Sequence, residues 1–299
     1  MCHPSSGWLF WETQVLLQSG MRTVATNMIR LVGTCSNHKS IGDMAQLREK
    51  FIDFLDINQP REIPRNKKEF EILDDLETAS YFSRNFNNDS VLDDKNQSQV
   101  ILSEKDAHAE LKMEIVNNGI GYLKSLGSGH HDLLTTIATE IFILPSREAR
   151  AGSTSESIGV IWANPKITYK NEDTAEILVH ELTHQSMFID ELCAGHYNYS
   201  DMLRQENWPI SAILKTKRPF DKVLHSAVVA MEILLFRDQF IGHPRNPSIH
   251  PPTLTLKNQL EVTIESMEDV AAKSRTILTE RSKKIIGELK SNVKLIAIH

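Results

Sequence analysis

The sequence predicts a mainly helical α+β protein in which a small sheet packs beside one long helix. Long stretches of the chain place apolar residues at helical spacing, and two short apolar runs are each closed by a proline-containing turn. The second of these runs leads directly into a further helical stretch. With 299 residues, 40% of them hydrophobic, the chain can bury an ample core as one large domain or two small ones.

Helices joined by polar links make up the first half of the chain. Helical spacing of apolar residues recurs in four stretches, 8–32, 41–55, 67–82 and 104–126. Residues 85–99 are rich in Asn, Asp and Ser, which is typical of an exposed loop. We therefore predict a helical N-terminal region over residues 1–130.

The second half of the chain combines short strands with helices. The apolar runs 141–144 and 158–162 predict two strands, with a loop at 147–156 between them. Helical spacing then recurs in three stretches, 174–189, 222–240 and 259–290. Residues 131–299 are therefore predicted to form a catalytic region with a sheet, a central metal-binding helix and C-terminal helices.

The helical stretch 174–189 contains the pattern H-E-x-x-H, formed by His180, Glu181 and His184. Residues four apart lie on one face of a helix, so both imidazoles can bind one metal ion. Glu181 lies beside the first ligand, where it can contact a metal-bound water without being a ligand. The alternative is a pair of hydrogen-bonded histidines on an amphipathic helix without a metal.

The strand that precedes this helix bears on the fold. An edge strand directly before an H-E-x-x-H helix is the usual layout of zincins, in which an extended peptide pairs with that strand across the metal. Residues 157–162 are the candidate edge strand, although an ordinary core strand fits the same pattern. The sequence thus predicts a zincin-like α+β fold, mainly α, with a small sheet packed on the H-E-x-x-H helix and additional helices.

A metal site needs a third protein ligand, and the sequence leaves several candidates. Asp190 stands where the metzincin pattern has histidine, but that pattern requires the helix to break, and the apolar residues before Asp190 favour its continuation. Glu232 is a downstream helical glutamate, and Glu191 is expected to lie too far along the same helix for one ion. His225 lies one turn into an apolar helix, where an unpaired imidazole is costly to bury, and it is preferred to His196.

Three segments of the chain together resemble one protein family. They are Ala-Gly-Ser-Thr-Ser-Glu-Ser-Ile-Gly-Val-Ile-Trp at 151–162, the helix 175–184 with Leu-Val-His-Glu-Leu-Thr-His, and 218–226, which runs from Arg-Pro-Phe to Leu-His-Ser. They are similar to the H-E-x-x-H proteins associated with ribosomally made peptide natural products, described as iron- and 2-oxoglutarate-dependent peptide β-hydroxylases. The resemblance covers 151–240, roughly a third of the chain, and the helical first half has no matching motif.

The resemblance implies a dioxygenase in which His180, His184 and His225 bind Fe(II) and 2-oxoglutarate is the cosubstrate. Its substrate would be a ribosomally synthesised precursor peptide that is hydroxylated at a β-carbon. Arg218 is the first choice for binding the distal carboxylate of 2-oxoglutarate, because a guanidinium can meet a carboxylate with two parallel hydrogen bonds. Three other cations are weaker choices, Lys215, Lys217 and Arg237.

Spacing alone favours zinc, and with it a second function, that of a metallopeptidase. Glu181 would then be the general base that takes a proton from water and passes it to the leaving amine. In the iron enzyme the same residue would orient a ligand or a water molecule. Tyr197 or Tyr199 would supply the oxyanion donor of the peptidase. A third possibility is a protein without a catalytic metal, whose helical first half binds a partner.

Composition argues against several other classes of protein. The net charge of −6 argues against a nucleic-acid-binding surface. No run of about 18 apolar residues is present, so no membrane span is expected, and the start of the chain lacks the basic residues of a secretory signal. The three cysteines form neither a C-x-x-C pair nor a disulfide framework, so we expect reduced thiols and a cytoplasmic location.

Overall fold

Helices surround a four-stranded sheet in the computed structural model, which describes residues 21–35, 41–86, 100–211 and 213–296. The helices are α1 (Met21–Cys35), α2 (Met44–Asn58), α3 (Leu76–Ser83), α4 (Ala109–Leu126), α5 (His130–Ile137), α6 (Asn171–Ala194), α7 (Tyr199–Met202), α8 (Phe220–Phe236), α9 (Thr253–Lys273) and α10 (Glu280–Asn292). The strands are β1 (Glu71–Leu73), β2 (Glu140–Ile143), β3 (Ala151–Ser153) and β4 (Val160–Ala163). The prediction of a mainly helical α+β fold is confirmed.

The sheet has the strand order β1-β2-β4-β3. Strands β1, β2 and β4 run parallel, and β3 pairs antiparallel with β4 at the edge. Every residue of β2 and β4 is buried, as expected for parallel strands that are covered on both faces. The prediction of an edge strand at 157–162 is wrong, because β4 lies between β2 and β3. On that side of the sheet the outermost strand is β3, which lies within the segment 147–156 that was predicted to be a loop.

The long helix α6 is fixed between the sheet and the helices α1, α4 and α8. Gly119 allows α4 to approach it closely, because a Cβ atom there would lie 2.6 Å from a side-chain carbon of Thr174. On the sheet side, the Gln185 amide accepts a hydrogen bond from the Gly159 nitrogen at 2.8 Å and donates one to the Val160 oxygen at 2.9 Å. The helix predicted at 174–189 is confirmed, and these contacts set its orientation against β4.

One hydrophobic core joins the two halves of the chain. It includes side chains of α1, α2 and α4 together with side chains of α6, α8, α9 and α10. A smaller cluster packs around Phe82, Phe142 and Trp162 on the other face of the sheet. The described part of residues 1–130 therefore packs directly on residues 131–299. None of the described helices is long and apolar enough to cross a membrane.

Some predicted elements differ from those in the structure. The helix predicted at 67–82 is the strand β1 followed by α3, because three strand residues are too few to show an alternating pattern. The helix predicted at 259–290 is interrupted between α9 and α10, where the Thr279 side chain accepts a hydrogen bond from the Ser282 nitrogen and caps a new helix. The part of the first predicted helix at 8–20 lies outside the described residues.

Candidate metal centre

Two histidines of α6 face a cavity of about 630 Å³ beside the sheet. His180 and His184 are four residues apart, and their Nε2 atoms lie 3.1 Å from each other. Two nitrogens that each lie about 2.1 Å from one metal ion are separated by about 3.0 to 3.4 Å, so the observed spacing fits a shared ion. The structure therefore brings these two nitrogens together as the sequence pattern predicts.

His225 reaches the same cavity from the start of α8. Its Nδ1 atom lies 3.1 Å from Nδ1 of His184, and the two rings stack with their centroids 5.4 Å apart. The ring of Phe188 packs against both imidazoles and forms an apolar wall beside them. The third histidine chosen from the sequence is thus a direct neighbour of the pair on α6.

The three histidines do not point to one centre as they stand. Among the residues that the structure describes, no three His, Cys, Asp or Glu side chains are arranged to hold a metal ion. The cause is the ring of His184, which turns Nε2 toward His180 and Nδ1 toward His225. An imidazole binds a given ion through one nitrogen, so an ion at Nε2 of His184 requires the His225 ring to turn toward it. The donor types themselves fit a metal.

All three imidazoles are neutral at ordinary pH. Burial is the largest cause that lowers the pKa of His180 and of His225 to about 3. Burial and the neighbouring histidines hold the pKa of His184 well below its usual range. A histidine must be uncharged to bind a metal, so the cluster offers lone pairs without first having to release protons.

Glu181 is a buried carboxylate with one unpaired oxygen. Its Oε1 atom lies 4.0 Å from Nε2 of His180, and its Oε2 atom has no hydrogen-bond partner among the described residues. Burial raises the pKa of this carboxyl to about 8, although the Ser153 hydroxyl opposes the shift. A buried polar atom without a partner costs stability and therefore calls for an explanation.

The other ligand candidates are engaged elsewhere. Asp190 accepts hydrogen bonds from Arg281 at 2.7 and 2.8 Å and lies 2.8 Å from Nε2 of His196. Glu232 lies 3.0 Å from Nε2 of His130 in a second buried pair. None of the three candidates Asp190, His196 and Glu232 lines the cavity. The choice of His196 as the second candidate for the third ligand is therefore wrong, because its ring is held by Asp190.

Two further residues lie beside the histidines. Glu191 lines the cavity, and its Oε2 atom is 4.0 Å from Nε2 of His225. Glu191 was expected to lie too far along α6 to share an ion with His180 and His184. It lies eleven residues, about three full turns, beyond His180, so it returns to the same face of α6, where it approaches His225. His250, between α8 and α9, places Nε2 2.8 Å from Nδ1 of His180. No local signal marks His250, because the contact joins distant parts of the chain.

Arg218 is the predicted cosubstrate-binding cation that the structure places on the cavity wall. The weaker choice Arg237 is wrong, because this side chain is fully buried and donates to both carboxylate oxygens of Glu176 at 2.9 and 2.7 Å. Lys215 and Lys217 are exposed and do not line the cavity. Arg218 therefore remains the candidate for binding a carboxylate near the histidines.

The two tyrosines considered as oxyanion donors have different environments. Tyr199 lines the cavity, and its hydroxyl donates a hydrogen bond to Glu191. Tyr197 is buried, and its hydroxyl has no hydrogen-bond partner in the described part of the protein. Only Tyr199 of this pair is therefore placed to meet a molecule in the cavity.

The edge strand β3 borders the cavity. Ala151 and Ser153 line it, and Thr154 and Ser155 continue the same wall. Within the described residues β3 pairs with β4 alone, so no other described strand covers its outer side. The outer backbone groups of an edge strand can pair with an extended peptide. The structure thus puts an edge strand next to the histidines.

Comparisons with known proteins do not assign the chain to a family. No protein-family model matches the sequence, and no curated protein matches it significantly. The residues of the cavity and the resemblance of the motifs are therefore the basis for proposing a function.

Proposed function

We propose that this protein is an Fe(II)- and 2-oxoglutarate-dependent peptide β-hydroxylase with a zincin-like catalytic region. The proposal rests on the position of His225. Its Nδ1 atom lies 3.1 Å from Nδ1 of His184, in the cavity that Arg218 also lines. Three neutral imidazoles suit an iron site that keeps further coordination positions open for cosubstrate and dioxygen. The preference for iron over zinc comes from the resemblance of the motifs.

Bound Fe(II) would supply, with dioxygen and 2-oxoglutarate, the oxidising power that converts one C–H bond of the peptide into C–OH. One oxygen atom enters the hydroxyl group, the other enters succinate, and the second product of 2-oxoglutarate is carbon dioxide. His180, His184 and His225 hold the ion through uncharged nitrogens. Arg218 binds the distal carboxylate of 2-oxoglutarate and so sets the orientation of the cosubstrate.

The size and the border of the cavity support a peptide substrate. Its volume of about 630 Å³ lies in the range of sites that bind small molecules, which leaves room for a cosubstrate and one substrate side chain. A peptide that pairs with β3 would turn alternate side chains to opposite faces of the sheet. We infer that one of these side chains enters the cavity with its β-carbon toward the histidines.

A zinc metallopeptidase is the second candidate, and Glu181 is the observation that favours it. Its Oε2 atom is buried without a partner, and its other oxygen, Oε1, lies 4.0 Å from Nε2 of His180, where a general base of a peptidase would lie. Bound Zn²⁺ would supply the activation of a water molecule. Glu181 would accept the proton of that water and pass it to the leaving amine, while Tyr199 would donate to the developing oxyanion.

Anaerobic addition of Fe(II) and then 2-oxoglutarate tests the proposal. We expect the weak visible metal-to-ligand charge-transfer band of a chelated 2-oxoglutarate, and we expect it to fade when air is admitted. Arg218→Met should keep the metal and lose affinity for 2-oxoglutarate, whereas Lys217→Met, an exposed cation outside the cavity, should behave like the original protein. Absence of the band, together with tight zinc binding and cleavage of a peptide library, would replace the hydroxylase by the peptidase.

A further inference from the structure

A buried chain of polar groups lies behind His180, on the side away from the cavity. Nδ1 of His180 is 2.8 Å from Nε2 of His250, and Nδ1 of His250 is 2.7 Å from Oε1 of Glu176. The guanidinium of Arg237 donates to both oxygens of Glu176. Glu176, His250 and Arg237 are all buried, so water cannot replace these partners.

The backbone holds this chain of groups in place. Glu176 and His180 are four residues apart on α6, so they lie on one face of the helix. Arg237 follows α8 in a short π-helical turn, and its guanidinium also donates to the Pro251 oxygen at 2.7 Å. That contact ties the segment carrying His250 to the end of α8. Three separate parts of the chain therefore meet behind one histidine.

The proton positions follow from the donors and acceptors available. Arg237 and His250 lower the pKa of Glu176 against the effect of burial, so Glu176 is an ionised acceptor. His250 must then donate from Nδ1. An imidazole that donates from Nδ1 to a carboxylate can accept at Nε2, and this is the atom of His250 that faces His180. Because Nε2 of His180 is turned toward His184, Nδ1 of His180 is the atom that can donate to His250.

We propose that Glu176 and His250 act as a positioning pair that holds His180 in the Nδ1–H tautomer. A neutral imidazole carries one N–H, so this tautomer leaves the lone pair on Nε2, the atom that faces Nε2 of His184. The pair also holds the plane of the His180 ring toward the cavity. The inference rests on the proposed metal site, and its class of ligand is a divalent cation.

Two substitutions of His250 separate its two contacts. The amide of glutamine reaches the place of the imidazole Nε2, so His250→Gln can keep an acceptor for His180 while it gives up the donor to Glu176. The amide of asparagine reaches the place of Nδ1, so His250→Asn can keep the contact with Glu176 and leaves His180 without an acceptor. The two variants thus form a matched pair for one question.

Zn²⁺ and Fe(II) affinities of the two variants are measured by anaerobic titration, with circular dichroism as the check of folding. We expect His250→Asn to lose about 10- to 100-fold in affinity, the usual effect of removing the group behind a metal-binding histidine. We expect His250→Gln, which keeps the acceptor but is no longer held by Glu176, to lose less affinity than His250→Asn. Equal affinities in all three proteins, or a loss in His250→Gln as large as that in His250→Asn, would overturn the proposal.

A second measurement needs neither metal nor activity. Long-range ¹H–¹⁵N correlation spectra of the metal-free, ¹⁵N-histidine-labelled protein report which imidazole nitrogen carries the proton, and the spectrum of His180→Gln assigns the His180 signal. We expect a protonated Nδ1 and a bare Nε2. A proton on Nε2 would overturn the inference. If the tautomer is as expected and no divalent ion binds, the proposed function fails and the positioning of His180 stands.

Discussion

Two carboxylates on α6, nine residues apart, show how differently one helix treats the same chemical group. Asp190 is 2% exposed and accepts hydrogen bonds from Asn27, Arg281 and Nε2 of His196. Burial opposes its ionisation, but His196 and Arg281 lower its pKa to about 2. Glu181 is 3% exposed, yet one of its oxygens has no partner and burial raises its pKa to about 8. Equal burial has opposite consequences because only one carboxylate is matched by donors.

The two carboxylates have different roles on the same helix: Asp190 anchors α6 to its neighbours, and Glu181 lies beside the histidines. Around Asp190 the polar groups satisfy one another and join α6 to α1 and α10. Near Glu181, His180 and His184 line a cavity, and the His184 ring contacts both His180 and His225. An unsatisfied group is expected where a ligand completes it, and this is the end of α6 at which we propose the metal and the substrate.

The largest effect is expected from loss of a metal-binding histidine. His180→Ala and His225→Ala should each lower the affinity for Fe(II) and Zn²⁺ by more than about 100-fold, since even the groups behind a ligand contribute 10- to 100-fold. Metal content after anaerobic reconstitution and gel filtration measures this. His131→Ala is the control, because His131 pairs with Asp132 outside the cavity. Full metal content in the His225 variant would remove His225 from the ligand set.

Loss of the anchor should destabilise the fold without changing the metal site. Asp190→Asn removes the charge that balances Arg281 and disturbs the contact with His196, at a cost of about 3 kcal/mol in the free energy of unfolding. Urea denaturation measures the difference. Glu280→Gln is the neighbouring control, because its side chain is 90% exposed, and it should change stability by less than about 0.5 kcal/mol. An Asp190 variant as stable as the original protein would contradict the anchor role.

The pH dependence of stability should carry the signature of Asp190. Its pKa falls from 3.8 in the unfolded chain to about 2 in the fold, so its ionised form stabilises the protein above pH 3.8. This contribution, about 2 kcal/mol, is lost as the pH falls from 3.8 toward 2. Over that range the free energy of unfolding should therefore change more steeply with pH in the original protein than in Asp190→Asn. Identical slopes would show that Asp190 does not titrate as described.

The smallest change in stability is expected at Glu181. Glu181→Gln keeps the shape of the side chain and breaks no hydrogen bond at Oε2. Below pH 4.5 the carboxyl is protonated in both the folded and the unfolded chain, so the free energy of unfolding there should stay within about 1 kcal/mol of the original. The same variant separates the two candidate functions. A peptidase would lose about 100-fold or more in turnover without its general base, whereas a hydroxylase would keep its charge-transfer band. A large loss of stability would mean that Glu181 belongs with Asp190 as an anchor.

Local spacing was enough to predict the part of the site that lies on α6. A separation of four residues puts His180 and His184 on one face of a helix in any fold, and the Nε2 atoms are accordingly close. His225 was chosen because a buried imidazole needs a partner, but its sequence position does not say which one. Packing of α8 on α6 makes His184 that partner. For these residues the sequence carries the information in a short window.

The parts that were missed depend on contacts between distant segments. His250 is 70 residues from His180 along the chain, and nothing in its own proline-containing segment indicates the contact. Strand β3 has three residues, which is too short for an alternating pattern to separate it from a loop. Arg237 was a weaker choice for binding 2-oxoglutarate, yet its Nε and Nη2 atoms donate to the two oxygens of Glu176 on α6. Tertiary packing decides these roles.

Anomalous diffraction from crystals soaked anaerobically with Fe(II) shows whether the three histidines hold one ion. We expect a single anomalous peak with Nε2 of His180, Nε2 of His184 and one nitrogen of a rotated His225 ring each about 2.1 Å away. An ion held by His180 and His184 with Glu191 in place of His225 would contradict this expectation. So would a cavity in which the three rings keep their mutual contacts and no metal peak appears.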